Sequence, residues 1–192
     1  PGYTHPPPSS LYHRSTPAAL PICVGVLHHM AEPYDAWRIL ADRLRPGGLM
    51  LIGLYSAVSR QGLSALRDDP AWPGANANDD ALRAFRRALM RRPPGAAGTE
   101  LLVSKDFFVK SGFRDLALHV SEQQCTLPAI EAFLDANHLE FHGFQLPRHV
   151  LEEFLQDHPD DDLPGRFDNW RSFEQEHPRT FDGMYNFWCR KV

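Results

Sequence analysis

The sequence predicts an α/β fold built on a largely parallel sheet, and three observations predict it. Residues 22–56 read as strand, helix and strand, about the length of one βαβ unit. A second helix-to-strand unit follows in "TLPAIEAFLDANHLEFHGFQL". The chain then closes on "MYNFWCRKV", a strand rich in aromatic residues.

Taking the elements in order, Ile22, Cys23, Val24, Gly25, Val26 and Leu27 form a continuous apolar run, the pattern of a strand covered on both faces. "HHMAEP" closes it and opens a helix, with Pro33 suited to the first turn. Tyr34, Trp37, Ala41 and Leu44 recur at spacings of three, four and three, with Leu40 beside them, so one face of that helix packs on a sheet. Pro46 and the glycines of "RPGG" stop it, and Leu49–Tyr55 predicts a second buried strand with a right-handed crossover between the two.

Residues 57–100 predict a helical insert. Its loop "DDPAWPGANANDD" leads to a helix capped by Asp79 or Asp80, with Leu82, Phe85, Leu89 and Met90 on one face. Arg83, Arg86, Arg87 and Arg91 occupy the other, which reads as a solvated face or an attractor of anions. Further on, Thr126 is the expected N-cap of a helix that buries Ile130, Phe133 and Leu134, with Asn137 in the left-handed position at its end. "RHVLEEFLQDHP" and "GRFDNWRSFEQEHP" predict short amphipathic helices, the second turning Phe167, Trp170 and Phe173 inward.

Composition narrows the function. The 192 residues, 43% hydrophobic and 23% charged, suit one soluble domain, and a formal charge of -4 gives no basic excess for nucleic acid or an anionic membrane. Cys23, Cys125 and Cys189 form no CxxC pair, which fits a reducing, cytoplasmic compartment without a disulfide framework or zinc knuckle. No apolar run approaches the ~20 residues of a membrane-spanning helix. Residues 1–21 carry six prolines and no periodicity, and are expected to be disordered or foreign to the domain. At that composition break "ALPI", Ala19–Ile22, is what a common sequencing-adapter end encodes in one frame, so a junction with unrelated sequence is expected there.

"GVLHHMAEPYDAW", "LRPGG" and "LMLIGLYS" together resemble the second half of a class I S-adenosylmethionine-dependent methyltransferase. In that family a strand ending in a dipeptide such as His-His is followed by a helix, a Pro-Gly-Gly type turn and a fifth strand. "KDFF", "TLPAIEAFLDANHLEFHGFQL" and "WRSFEQEHPRTFDGMYNFW" resemble, more narrowly, bacterial methyltransferases fused behind tetratricopeptide repeats. The resemblance implies a Rossmann-like methyltransferase sheet with strands four to seven at Ile22–Leu27, Leu49–Tyr55, Leu139–Leu146 and Met184–Lys191. The fifth would lie beside the fourth, and the seventh, antiparallel, between fifth and sixth. The departure is large: nothing before Ile22 reads as the glycine-rich loop or the acid-terminated strand that hold the cofactor. The expected fold is thus an incomplete sheet lacking its N-terminal cofactor-loop half.

The resemblance further implies S-adenosylmethionine as cofactor, a small-molecule or protein methyl acceptor, a tetratricopeptide-repeat region in the full-length protein, and transfer that is impaired in this chain. It places His28 and His29 at the reactive rim, where imidazole chemistry near neutral pH suits a general base. Stiffening of the turn by one histidine and solvation of the other is the competing reading. Gly25, Val26 and Leu27 would touch the cofactor or serve as plain core strand. Tyr55, Ser56, Phe107 and Phe108 would line the acceptor site or anchor their own segments. No metal set is expected, because Asn137 ends the helix before His142, so His138 and His142 do not share a helix face, and "DHPDDD" lacks a calcium loop's pattern. The alternative function is a non-catalytic, degenerate domain that binds a partner through the unpaired Ile22–Leu27 edge.

Overall fold

The computed structural model describes residues 20–118, 122–162 and 164–192, with only the backbone at Ser64, Ala65 and Glu100; the leader expected over 1–21 lies almost wholly outside that range. Among the described residues the strands are β1 (Ile22–Cys23), β2 (Leu49–Ser56), β3 (Gln124–Cys125), β4 (Leu139–Phe144) and β5 (Met184–Lys191). The α-helices among them are α1 (Pro33–Arg43), α2 (Gln61–Arg67), α3 (Asp79–Met90), α4 (Lys105–Phe108), α5 (Lys110–Leu118), α6 (Leu127–Ala136), α7 (Arg148–Asp157) and α8 (Phe167–Glu176).

The sheet runs β1-β2-β5-β4, with β1 parallel to β2 and β5 antiparallel to both its neighbours. This is the order the resemblance implies, an α/β sheet with the last strand inserted. β5 pairs with β2 from Leu49↔Arg190 to Tyr55↔Met184, so the two long strands are the frame on which everything else is placed. Side chains alternate along them. Met50, Ile52 and Leu54 of β2 join Tyr185, Phe187 and Cys189 of β5 under α1, α6, α7 and α8, where Trp37 stacks on Phe133 at 3.8 Å and Phe154 on Trp170 at 3.7 Å. A second, separate core joins Leu82, Phe85 and Leu89 of the expected 57–100 insert to Phe107, Phe113 and Leu118 of the helices after it, so the insert extends to Leu118.

Four local expectations are corrected. The strand expected over Ile22–Leu27 stops at Cys23, because β3 takes the same edge of β2 further along, at Tyr55↔Gln124. The chain instead turns at Gly25, φ +76°, into a 3-10 turn over Leu27–His29, and Ile22 and Val26 are 64% and 53% exposed rather than buried on both faces. Asn78, not Asp79 or Asp80, caps α3 by accepting the Ala81 N–H at 2.9 Å, while Asp79 is held by Lys110 and Arg114. Met90 is exposed, one residue past the Leu82–Phe85–Leu89 stripe. The left-handed residue after α6 is His138, φ +53°; Asn137 stays at φ −112° and donates its side-chain N–H to Phe133 O at 2.7 Å.

Candidate functional site

Both parallel strands β1 and β2 end toward the insert, and open α/β sheets bind their ligands at that end. A cleft of about 510 Å³ lies there. Its floor is Tyr55, Ser59 and Arg60 at the end of β2, with Arg179, Asp182 and Gly183 leading into β5; its far wall is Ser104, Lys105, Asp106 and Asp115 of the insert. Asp182 sits at φ +48°, a conformation that costs an L-residue energy and is frequent at functional loops. Burial raises the Tyr55 phenol above its usual range; Arg60 opposes this, and Glu122, Asp115 and Asp106 add to it.

Beside the cleft's lining residues Tyr55 and Arg60 is a rim of stacked rings whose two histidines do not themselves line the cleft. His28, fully buried, lies on Tyr55 with 3.5 Å between ring centroids, His29 meets His28 edge-on at 4.4 Å, and the Arg60 guanidinium is 3.6 Å from the Tyr55 ring centre. Arg60 also pairs with Glu122 at 2.6 Å, both side chains nearly inaccessible to water. The carbonyl of His28 accepts the Gln123 N–H at 2.8 Å, which ties the 3-10 turn after β1 to the segment entering β3.

Beneath this rim the Ser56 hydroxyl donates to Glu174 Oε1 at 2.7 Å, and Tyr185 donates its hydroxyl to the same carboxyl group at 2.7 and 2.8 Å. Burial pushes the Glu174 carboxyl up, and the hydrogen bonds from Ser56 and Tyr185 only partly offset it.

The sequence-selected residues therefore fall in several places. His28, His29 and Tyr55 come together at the rim, with His29 exposed. Ser56 is buried below them, in the contact with Glu174. Gly25 and Val26 are exposed at the turn after β1, and Leu27 is buried behind it. Phe107 lies in the insert core and Phe108 is 61% exposed; neither lines the cleft, although Ser104, Lys105 and Asp106 just before them do. Sequence reasoning missed Arg60, Glu122, Glu174 and Tyr185. The only available signal was the inward face of the last two helices and of β5, on which a glutamate among phenylalanines is an anomaly.

No known protein family's profile matches the chain. An uncharacterized protein of Synechococcus sp. is 37% identical over 46 residues, 24% of this chain and 11% of that protein. Two solved structures of PKMT2 from Rickettsia typhi, one of them in complex with AdoHcy, match 90% and 89% of the chain with TM-scores of 0.61 and 0.60, at 14% and 11% identity. The chain spans only 36% and 35% of those two structures. It has the Rossmann-like α/β fold of about a third of PKMT2.

Proposed function

We propose that this chain is part of an S-adenosylmethionine-dependent methyltransferase domain and that its cleft receives the methyl acceptor. The likeness to PKMT2, solved with AdoHcy, the demethylated form of that cofactor, supports the reading. The chain's residues fit one wall of such a cofactor. Gly25 has open space where a Cβ would stand, and Val26 and His29 are exposed beside it. Among the described residues no glycine-rich loop and no acid-terminated strand completes the cradle.

The bound cofactor would supply an activated methyl group; the chain's own part is to hold the acceptor and take its proton. His29, exposed at the rim, is the proton acceptor. His28 fixes the Tyr55 ring by stacking, Tyr55 and the flanking Asp106 and Asp115 position the acceptor, and Phe107 supports the insert wall from behind. The test is titration of the isotope-labelled chain with AdoHcy while backbone amide resonances are followed. Weak, saturable shifts at residues 24–29 are expected. No shift there up to the ligand's solubility limit would remove the cofactor role.

A second reading, a non-catalytic interaction module, is favoured by the edge of β1. Ile22 in β1, with Val24 and Val26 just after it, is exposed there, an apolar edge that offers a surface to another chain. A stable dimer that shows no AdoHcy shift would make this the better account.

A further inference from the structure

Three side chains form a closed triangle behind the cleft. Ser56 Oγ lies 2.7 Å from Glu174 Oε1 and 3.1 Å from the Tyr185 hydroxyl, which is itself 2.8 Å from Glu174 Oε2. The Ser59 N–H reaches Ser56 Oγ from outside at 3.0 Å. A proton count separates two states of this triangle. With Glu174 ionised, the serine and tyrosine protons both point at the carboxylate, and the Ser56–Tyr185 contact faces lone pair to lone pair. With a proton on Glu174 Oε2, Glu174 donates to Tyr185, Tyr185 to Ser56 and Ser56 back to Oε1, so every donor meets an acceptor. The surroundings agree, since Glu174 is only 2% exposed and its carboxyl meets two neutral hydroxyls.

We propose that Glu174 is a positioning residue held as a neutral carboxylic acid, whose closed ring with Tyr185 and Ser56 latches α8 to the ends of β2 and β5 and fixes the cleft floor. The charged groups of neighbouring elements are directed elsewhere. On α6, Glu131 faces Asp168, Asp135 and Arg171; on α7, Glu153 and Asp157 face His177; on β3, Cys125 stands near Tyr185 and takes the Tyr34 hydroxyl from α1. Ser56 transmits the latch to the cleft, because its hydroxyl accepts the Ser59 N–H and its carbonyl the Arg60 N–H at 3.2 Å. Ionisation puts an uncompensated charge into the ring and frees that turn. The latch acts whatever molecule the cleft takes, and so stands apart from the methyl-transfer reading.

The experiment is infrared spectroscopy of the folded chain at neutral pH, comparing wild type with Glu174→Gln. A protonated-carboxyl C=O band is expected in the wild type and is expected to vanish in the variant. Absence of the band in wild type, or its survival in E174Q, overturns the proposal. Tyr185→Phe removes the acceptor of the acid's proton and should shift the band; an unshifted band counts against the ring. Amide exchange reads the positioning. After correction for intrinsic exchange, Ser59 and Arg60 should lose protection as pH rises in the wild type and hold it in E174Q, whose side-chain N–H can replace the acid's donor. The same pH dependence in both proteins sinks the latch, and the wild-type measurements stand alone if E174Q does not fold.

Discussion

The imidazole of His28 lies on the phenol ring of Tyr55, 3.5 Å between centroids and 19° from parallel. That contact joins the 3-10 turn that follows β1, itself only two residues long, to the end of β2. His28→Ala removes a fully buried ring and is expected to cost about 2–4 kcal/mol, whereas His29→Ala, at an exposed position, should stay within about 0.5 kcal/mol. Urea unfolding of the two variants gives the comparison. Equal losses would mean that the adjacent histidines are not divided into support and surface.

Arg60 and Glu122 form a buried pair. Removing one partner strands the other, and Arg60→Ala is expected to destabilise by about 3–5 kcal/mol. The double variant Arg60→Met, Glu122→Leu should recover most of that loss, since neither charge is then left buried. A double variant no more stable than R60A would show that the guanidinium's contact with Tyr55, and not the ion pair, matters most at this corner.

Stability should depend on pH through Glu174. Burial raises its folded-state pKa above the unfolded value, so its stabilising contribution is fully present below the unfolded carboxyl's pKa and is lost as pH rises through the folded one. Relative to E174Q, the wild type is therefore expected to be at its best in mild acid and to fall behind as the solution is made more basic. Denaturant melts of both proteins across that range check the sign. A wild-type advantage that grows with pH would mean that the site prefers the carboxylate.

The edge of β1 should drive self-association. Ile22→Lys and Val24→Lys place charges on an exposed apolar edge and are expected to lower the apparent mass in sedimentation velocity without shifting the urea midpoint. A wild type that is already monomeric at high concentration would contradict this.

Much of the fold was legible because its periodicities are strong. The apolar stripe of Trp37, Ala41 and Leu44, the run Leu49–Tyr55 and the aromatic β5 each dictate an element with little help from their neighbours, and the order of the sheet followed from the resemblance they carry. The site was less legible. A run such as Ile22–Leu27 reads as strand from its own residues, yet its length depends on β3, about a hundred residues later, taking the rest of the β2 edge. His28 and Tyr55 stood out singly, but Glu122 and Glu174 meet Arg60 and Ser56 only through tertiary contacts between distant segments, for which a single sequence holds no periodic signal.

The insert and the sheet each pack around their own centre, Phe85, Phe107 and Phe113 in one and Trp37, Phe187 and Trp170 in the other. Separate centres permit separate cooperative units, so the insert can melt and reform while the sheet remains intact. One wall of the cleft thus belongs to a unit with its own folding equilibrium. A molecule seated there draws on that equilibrium, and its binding energy is spent partly on keeping the insert folded. Affinity for the cleft and the lifetime of the insert are two readings of the same free energy.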